Sequence, residues 1–390
     1  MQLADFELER FFARHEFSAP HLLCTSDVEG FPMSDLLALA DDETRPLWDG
    51  LRLGYTESSG HPLLRREIAS LYDTVSPDEV LVFAGAEEAI FVTANVVLSP
   101  GDHVVVVWPA YQSLHEVARA LGADVALHEL HESEGWAIDV ERLRGQLTPR
   151  TRLIVVNLPH NPTGMLADAA TFRAVVDLAA EAGATLLSDE VYRFLERDTA
   201  DRLPAGADLG GHIVSLGVMS KSFALAGLRI GWLATRDRAF LDRAARFKDY
   251  TTICSSAPSE ILSLIALRAR DAVLARSRSI AETNLAILDP FFDRWAGKLS
   301  WVRPRGGSIG FPRLRDGIPI ERFADELLAT EGVLLAPGSV FGHPGNHFRL
   351  GFGRTDMPAA LERLDAFLSS VRASGPATGP PYRSNRSSGV

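Results

Sequence analysis

The chain has 390 residues, a formal net charge of −12 and only two cysteines. That length allows a large and a small domain sharing one core. The acidic balance carries no basic patch, which excludes a nucleic-acid surface, and Cys24 and Cys254 are too few for a disulfide framework or a zinc site. The two thiols read as buried and reduced, in a cytoplasmic protein. Residues 1–10 lack the apolar stretch of a signal peptide, and no apolar run reaches membrane-spanning length.

In chain order, a first helix is predicted over 5–15, packed with the smaller domain. Strand 80–83 leads into helix 87–98. Residues 102–107 form a near-continuous apolar run, as a strand buried on both faces does. Helix 111–121, strand 124–130 and strand 153–157 follow. Helix 167–182 ends at Gly183, a suitable C-terminal cap. Strands 185–188 and 213–216 complete an alternation that implies a mainly parallel sheet with helices on both faces.

The pattern changes after about residue 255. A long helix over 259–294 is expected to kink or break at Pro290. Strand-like segments at 300–303 and 309–312 precede helix 320–331, strands 333–336 and 347–351, and helix 357–373. The fold class is therefore α/β, with a large domain over 46–260. A smaller α+β domain is built from both termini, 1–45 and 261–373. Residues 374–390, rich in Gly, Pro, Ser and Arg, read as a disordered tail.

Several strand ends carry residues suited to chemistry. Lys221 lies in Ser220-Lys221-Ser222-Phe223-Ala224-Leu225-Ala226-Gly227-Leu228-Arg229, just after a strand and among small and apolar residues. A surface-loop lysine is the ordinary alternative. In partly apolar surroundings, however, a lysine has a depressed pKa and can form a Schiff base. Arg229, beside glycines, suits a phosphate. Asp189 and Tyr192 follow strand 185–188, and an acid there points into the crevice where open α/β sheets bind ligands. Asn161, in Asn161-Pro162-Thr163-Gly164, follows strand 153–157; turn chemistry alone also explains that tetrad. His160 reads as a packed or loop histidine. Gly85, Ala86 and Glu87 turn a strand into a helix N-terminus, an anion site through backbone N–H groups. Tyr111 either stacks on a flat ring or is a core aromatic.

This ordered set, over roughly residues 20–370, resembles the fold-type I enzymes dependent on pyridoxal 5′-phosphate (PLP), the class I/II aminotransferases of the aspartate-aminotransferase superfamily. The resemblance implies that Lys221 carries the cofactor as a Schiff base. It implies that Asp189 meets the pyridine nitrogen, with Tyr192 and Asn161 at the phenolic oxygen. Tyr111 becomes the stacking aromatic, and Arg229, Ser220 and the turn at Gly85, Ala86 and Glu87 the phosphate ligands. Arg349 becomes the clamp for a substrate α-carboxylate, with Asn161 beside it. Tyr55 becomes a residue that reaches the neighbouring site of a homodimer. The implied activity moves an amino group between an L-amino acid and a 2-oxo acid, with Lys221, Asp189 and Tyr192 as the catalytic residues.

Two departures stand out. Val218 occupies a position where the family usually has a Ser or Thr phosphate ligand, so Ser220 or another donor must compensate. Residues 23–30 do not match the family's usual glycine-containing, substrate-contacting segment, and no second arginine for a dicarboxylate side chain is evident. Residues 304–307, 311–313 and 340–342 are similar to stretches of capreomycidine synthase, which closes a ring on a hydroxylated arginine. The alternatives to transamination are therefore a PLP-dependent lyase or cyclase, and, at low weight, a non-enzymatic PLP-binding regulator.

Overall fold

The computed structural model describes residues 2–315 and 317–373; the expected tail at 374–390 lies outside the described residues. A seven-stranded sheet forms the centre. Its strands are β1 (Val80–Phe83), β2 (His103–Trp108), β3 (Asp124–Glu129), β4 (Thr151–Asn157), β5 (Thr185–Asp189), β6 (Ile213–Val218) and β7 (Gly231–Ala234). The spatial order is β1-β7-β6-β5-β4-β2-β3. Only β7 runs against the rest, pairing antiparallel with both β1 and β6. This is the mainly parallel mixed sheet expected from the alternation of apolar runs with amphipathic helices.

The inner strands are buried on both faces because successive side chains serve different cores. Val104, Val106, Leu153, Val155 and Leu187 pack into one hydrophobic cluster, while Val105, Val107, Ile154, Val156 and Leu186 pack into the other. The carboxyl ends of β4, β5 and β6 lie side by side, with Asn157 opposite Asp189 and Asp189 opposite Leu216. Asp189 and the segment entering Lys221 thus emerge along one edge of the sheet.

The smaller α+β part joins both termini. His21–Leu22 pairs in parallel with Val333–Leu334. Phe348–Gly351 lies between Ile309–Gly310 and Ala336–Pro337, antiparallel to each. These strands and the helices Ile320–Glu331 and Met357–Ala373 share a core with the second half of helix Arg270–Arg294, through Leu285, Leu288, Phe291 and Phe292.

Some boundaries differ from expectation. The long helix breaks at Ala269, not at Pro290, which stays inside Arg270–Arg294. Ala269 leaves helical backbone at ψ 21°, between helices Ala257–Arg268 and Arg270–Arg294. Ile261, Leu264 and Ile265 before the break and Val273 and Leu274 after it pack in one cluster of the large part, and helix Arg270–Arg294 reaches the smaller core only from Ala281 onward. The strand-like stretches at 300–303 and 309–312 shorten to the two-residue pairings Leu299–Ser300 and Ile309–Gly310. Helix Glu7–His15 does not pack on the smaller part alone. Its Glu7 N–H donates to Gln112 Oε1 at 2.9 Å, and Tyr111 OH donates to Glu9 at 2.9 Å, while its other contacts run to the turn Gly338–Phe341. Cys24 is fully buried, but Cys254 is only partly so.

Close packing ties residues 23–27 to the strand that carries Arg349. Gly351 N–H donates to Leu23 O at 3.0 Å, and a Cβ on Gly351 would lie 1.9 Å from Thr25 O. A Gly351→Ala substitution must therefore push residues 23–27 away. We expect a loss of about 1–3 kcal/mol, the usual range for overpacking. A fall of several degrees in the thermal midpoint of the cofactor-free chain would show it; an unchanged midpoint would contradict this packing.

Candidate active site

One cavity of ≈ 530 Å³ opens at the carboxyl ends of the central strands, and it gathers most of the residues singled out in the sequence. Lys221 sits three residues past the end of β6. Its Nζ donates to Ser26 Oγ at 2.8 Å and lies 5.9 Å from the centre of the Tyr192 ring. Burial disfavours the ammonium form and lowers the pKa to about 8, with the Asp27 carboxylate opposing the shift.

Asp189 ends β5 and is 5 % exposed. Its Oδ1 accepts from Val191 N–H at 3.2 Å, yet burial still pushes its pKa up to about 7. Asn157 links this strand end to the next loop. Its Nδ2 donates to Asp189 O at 3.1 Å, and its Oδ1 accepts from Asn161 N–H at 2.6 Å. Tyr192 is buried, donates its hydroxyl to Ser26 O at 3.1 Å, and is raised in pKa by burial.

Arg349 enters from the strand Phe348–Gly351. Its Nε donates to Cys24 O at 2.9 Å and its Nη1 to Asn161 Oδ1 at 3.4 Å. Nη2 has no hydrogen-bond partner among the described residues although the side chain is 1 % exposed. A buried guanidinium with an unused donor facing a cavity suits a carboxylate ligand.

At the other end, Gly85 precedes helix Ala86–Val97 with φ 88°. A Cβ there would lie 2.7 Å from Arg229 Nη2, so glycine is what lets the turn approach the guanidinium. Arg229, Ala86 and Glu87 line the cavity, forming a cationic pocket at a helix N-terminus that fits a phosphate. The Glu87 side chain also faces the cavity. It accepts from Ser113 Oγ at 3.1 Å, and burial raises its pKa toward the neutral form, which tempers its repulsion of a nearby anion. Ser220 and Val218 line the same space, as does Tyr111, whose ring packs 5.0 Å from Phe6.

Tyr55 is the predicted residue this chain does not bring in; it is 92 % exposed. His160 is buried against Thr163, and burial depresses its pKa to about 3, as a packed histidine requires. Sequence reasoning missed Ser26 and Asp27, and the helix-borne Glu9, Phe12 and Glu16, all lining the cavity. The only signal for Ser26 and Asp27 was the failure of residues 23–30 to match a known pattern. The helix carried none, because only tertiary packing lays it over the site.

A half-buried amine, a buried carboxyl, a phenol, an aromatic face and an anion pocket in one cavity are the donor set that PLP requires. The comparisons agree. Residues 23–364 match the family model for aminotransferase class I and II. Capreomycidine synthase of Streptomyces vinaceus is 33% identical over 367 residues, 93% of each chain. A PLP-dependent aminotransferase from Streptococcus suis superposes with a TM-score of 0.89 at 32% identity, covering 95% of this chain and 99% of that one. The PLP-dependent cyclase OrfR superposes with a TM-score of 0.86 at 32% identity, covering 95% and 98%. The chain belongs to the class I and II aminotransferase family, and its cofactor is pyridoxal 5′-phosphate.

The buried Asp189 makes a testable contribution to pH dependence. Its folded pKa, about 7, lies above the unfolded value near 3.8. Between those values the folded state holds the extra proton, so this group's contribution to stability declines as pH rises from about 4 to 7. In the cofactor-free chain, Asp189→Asn should therefore gain thermal midpoint relative to the native chain between pH 4 and pH 8. A difference that stays constant, or moves the other way, would show that Asp189 is not held neutral.

Proposed function

We propose that this enzyme is an aminotransferase, moving an amino group between an L-amino acid and a 2-oxo acid. The observation that carries the reading is the convergence of Lys221 and Arg349 on one cavity. One residue offers a half-buried amine with a depressed pKa, the other a buried guanidinium with a free donor.

Lys221 is assigned to hold the cofactor, with Asp189 at its ring nitrogen, Tyr192 and Asn161 at its phenolic oxygen, and Tyr111 against its ring. Arg229, Ser220 and the backbone of Gly85, Ala86 and Glu87 are assigned to its phosphate. When bound, the cofactor supplies an electron sink for the bonds at the substrate Cα. Arg349 orients the substrate through its α-carboxylate, supported by Asn161. The Lys221 amine, depressed toward neutral pH, takes and returns the Cα proton as general base and acid. Tyr192 and Lys221 both meet the Ser26 residue, so their relative position is fixed before any ligand arrives.

A homodimer in the cytoplasm is part of this reading. Leu53, Tyr55, Tyr250 and Ile253 are large apolar side chains exposed on the single chain, which supports a role for Tyr55 toward a neighbouring site. A second reading, ring closure on an amino acid, is favoured by the similarity to capreomycidine synthase and OrfR. The same Lys–Asp–Arg frame serves it.

Incubating the PLP-loaded enzyme with amino acids and a 2-oxo acid separates the two. Formation of a new amino acid is expected. A cyclic product, or ammonia released without an acceptor, would replace transamination with ring closure or elimination. Arg349→Lys should raise KM for the amino donor ~10-fold or more, because a point charge replaces a bidentate fork. An unchanged KM would remove Arg349 from the substrate site.

A further inference from the structure

Three carboxylates that the reading above leaves without a task face the active cavity: Glu9, Glu16 and Asp27. Glu9 lies in the N-terminal helix and Glu16, seven residues on, caps its C-terminal end. Asp27 belongs to the stretch that departs from the family pattern. Glu9 accepts from Tyr111 OH, and Asp27 is bridged by Arg354 at 3.1 and 3.3 Å. Glu16 has no side-chain hydrogen bond among the described residues. Its pKa is raised, first by burial and then by the Asp27 carboxylate, with Glu9 adding to it and Arg354 and Arg349 opposing.

A second, independent observation marks the ligand. Arg349, 1 % exposed, lines the same cavity and keeps Nη2 unpartnered. A carboxylate bound there consumes part of the positive charge that now offsets Glu16. Arg229 lies at the helix N-terminus near Gly85 and is committed to the phosphate. The charged lining left to face a substrate side chain is then acidic. A second carboxylate would be repelled, and a neutral side chain would leave the Glu16–Asp27 repulsion in place. A cation relieves it.

We propose that Glu9, Glu16 and Asp27 form the side-chain subsite of the active cavity, and that this subsite selects amino acids carrying a cationic side chain, a guanidinium or an ammonium. The inference rests on the reading of the cavity as an amino-acid site. Glu16 is its specificity residue, because it is the carboxylate without a protein partner; Asp27 and Glu9 are held by Arg354 and Tyr111 and set the field around it.

The test is a titration of the PLP-loaded enzyme with L-arginine, L-lysine, L-citrulline and L-glutamate. Dissociation constants are read from the cofactor's visible band and, independently, by calorimetry. Arginine or lysine should bind ~10-fold or more tightly than citrulline, the neutral counterpart of arginine, with glutamate weakest. Arginine ahead of lysine assigns a guanidinium; the reverse assigns an ammonium. In Glu16→Gln the ratio of arginine to citrulline affinity should fall to ~3-fold or less. Citrulline or glutamate binding as well as both cations overturns the proposal, as does a ratio unmoved in a folded Glu16→Gln chain. If that variant fails to fold, the comparison in the native enzyme still decides. A cationic preference without amino transfer would overturn the aminotransferase reading and leave this one standing. Transfer from all four donors at equal affinity would do the opposite.

Discussion

A lysine amine and an aspartic carboxyl share one cavity, and the surrounding structure is arranged to keep both there. Burial lowers Lys221 to about 8 and lifts Asp189 to about 7. Each therefore sits near its midpoint at neutral pH, where a small change in local charge shifts its protonation. Such groups are tolerable only where the backbone holds them rigidly. Asp189 ends a strand paired in parallel on both sides, and Lys221 follows within three residues of the neighbouring strand's end. The sheet sets their relation, not their own side-chain contacts.

The second anchor is the short segment 24–27, which crosses from the smaller part of the molecule into the cavity. Cys24 O accepts from Arg349, Ser26 Oγ from Lys221, and Ser26 O from both Tyr192 and Ser308. Residues from four distant stretches of sequence thus meet on Cys24 and Ser26. Above them lies helix Glu7–His15, fixed to Gln112 and Tyr111 on one side and packed against Gly338–Phe341 on the other. One wall of the cavity thus comes from the sheet ends, and the other from the N-terminal segment together with the strand that carries Arg349.

That division also explains what could be read in the sequence. Buried strands β2, β4 and β5 announce themselves as apolar runs because both faces are covered. The functional side chains after them were legible because strand ends in such sheets open onto a crevice. Strand β7 passed unnoticed: unlike the equally short Val80–Phe83, it opens on Gly231 and carries no β-branched residue. The break at Ala269 was invisible because no proline or glycine stands there to mark it. Pro290 misled for the converse reason, since packing on both sides of it holds the helix together despite the missing N–H. Nothing in the local sequence singles out Glu9 and Glu16. Only the tertiary arrangement turns them toward a cavity.

The most direct measurement is to treat the PLP-loaded protein with borohydride, digest it and map the cofactor by mass spectrometry. One stoichiometric modification is expected, on the peptide containing Lys221, and none on Lys248 or Lys298. A cofactor fixed on another lysine, or a protein that takes up pyridoxal 5′-phosphate without any fixed label, would contradict it.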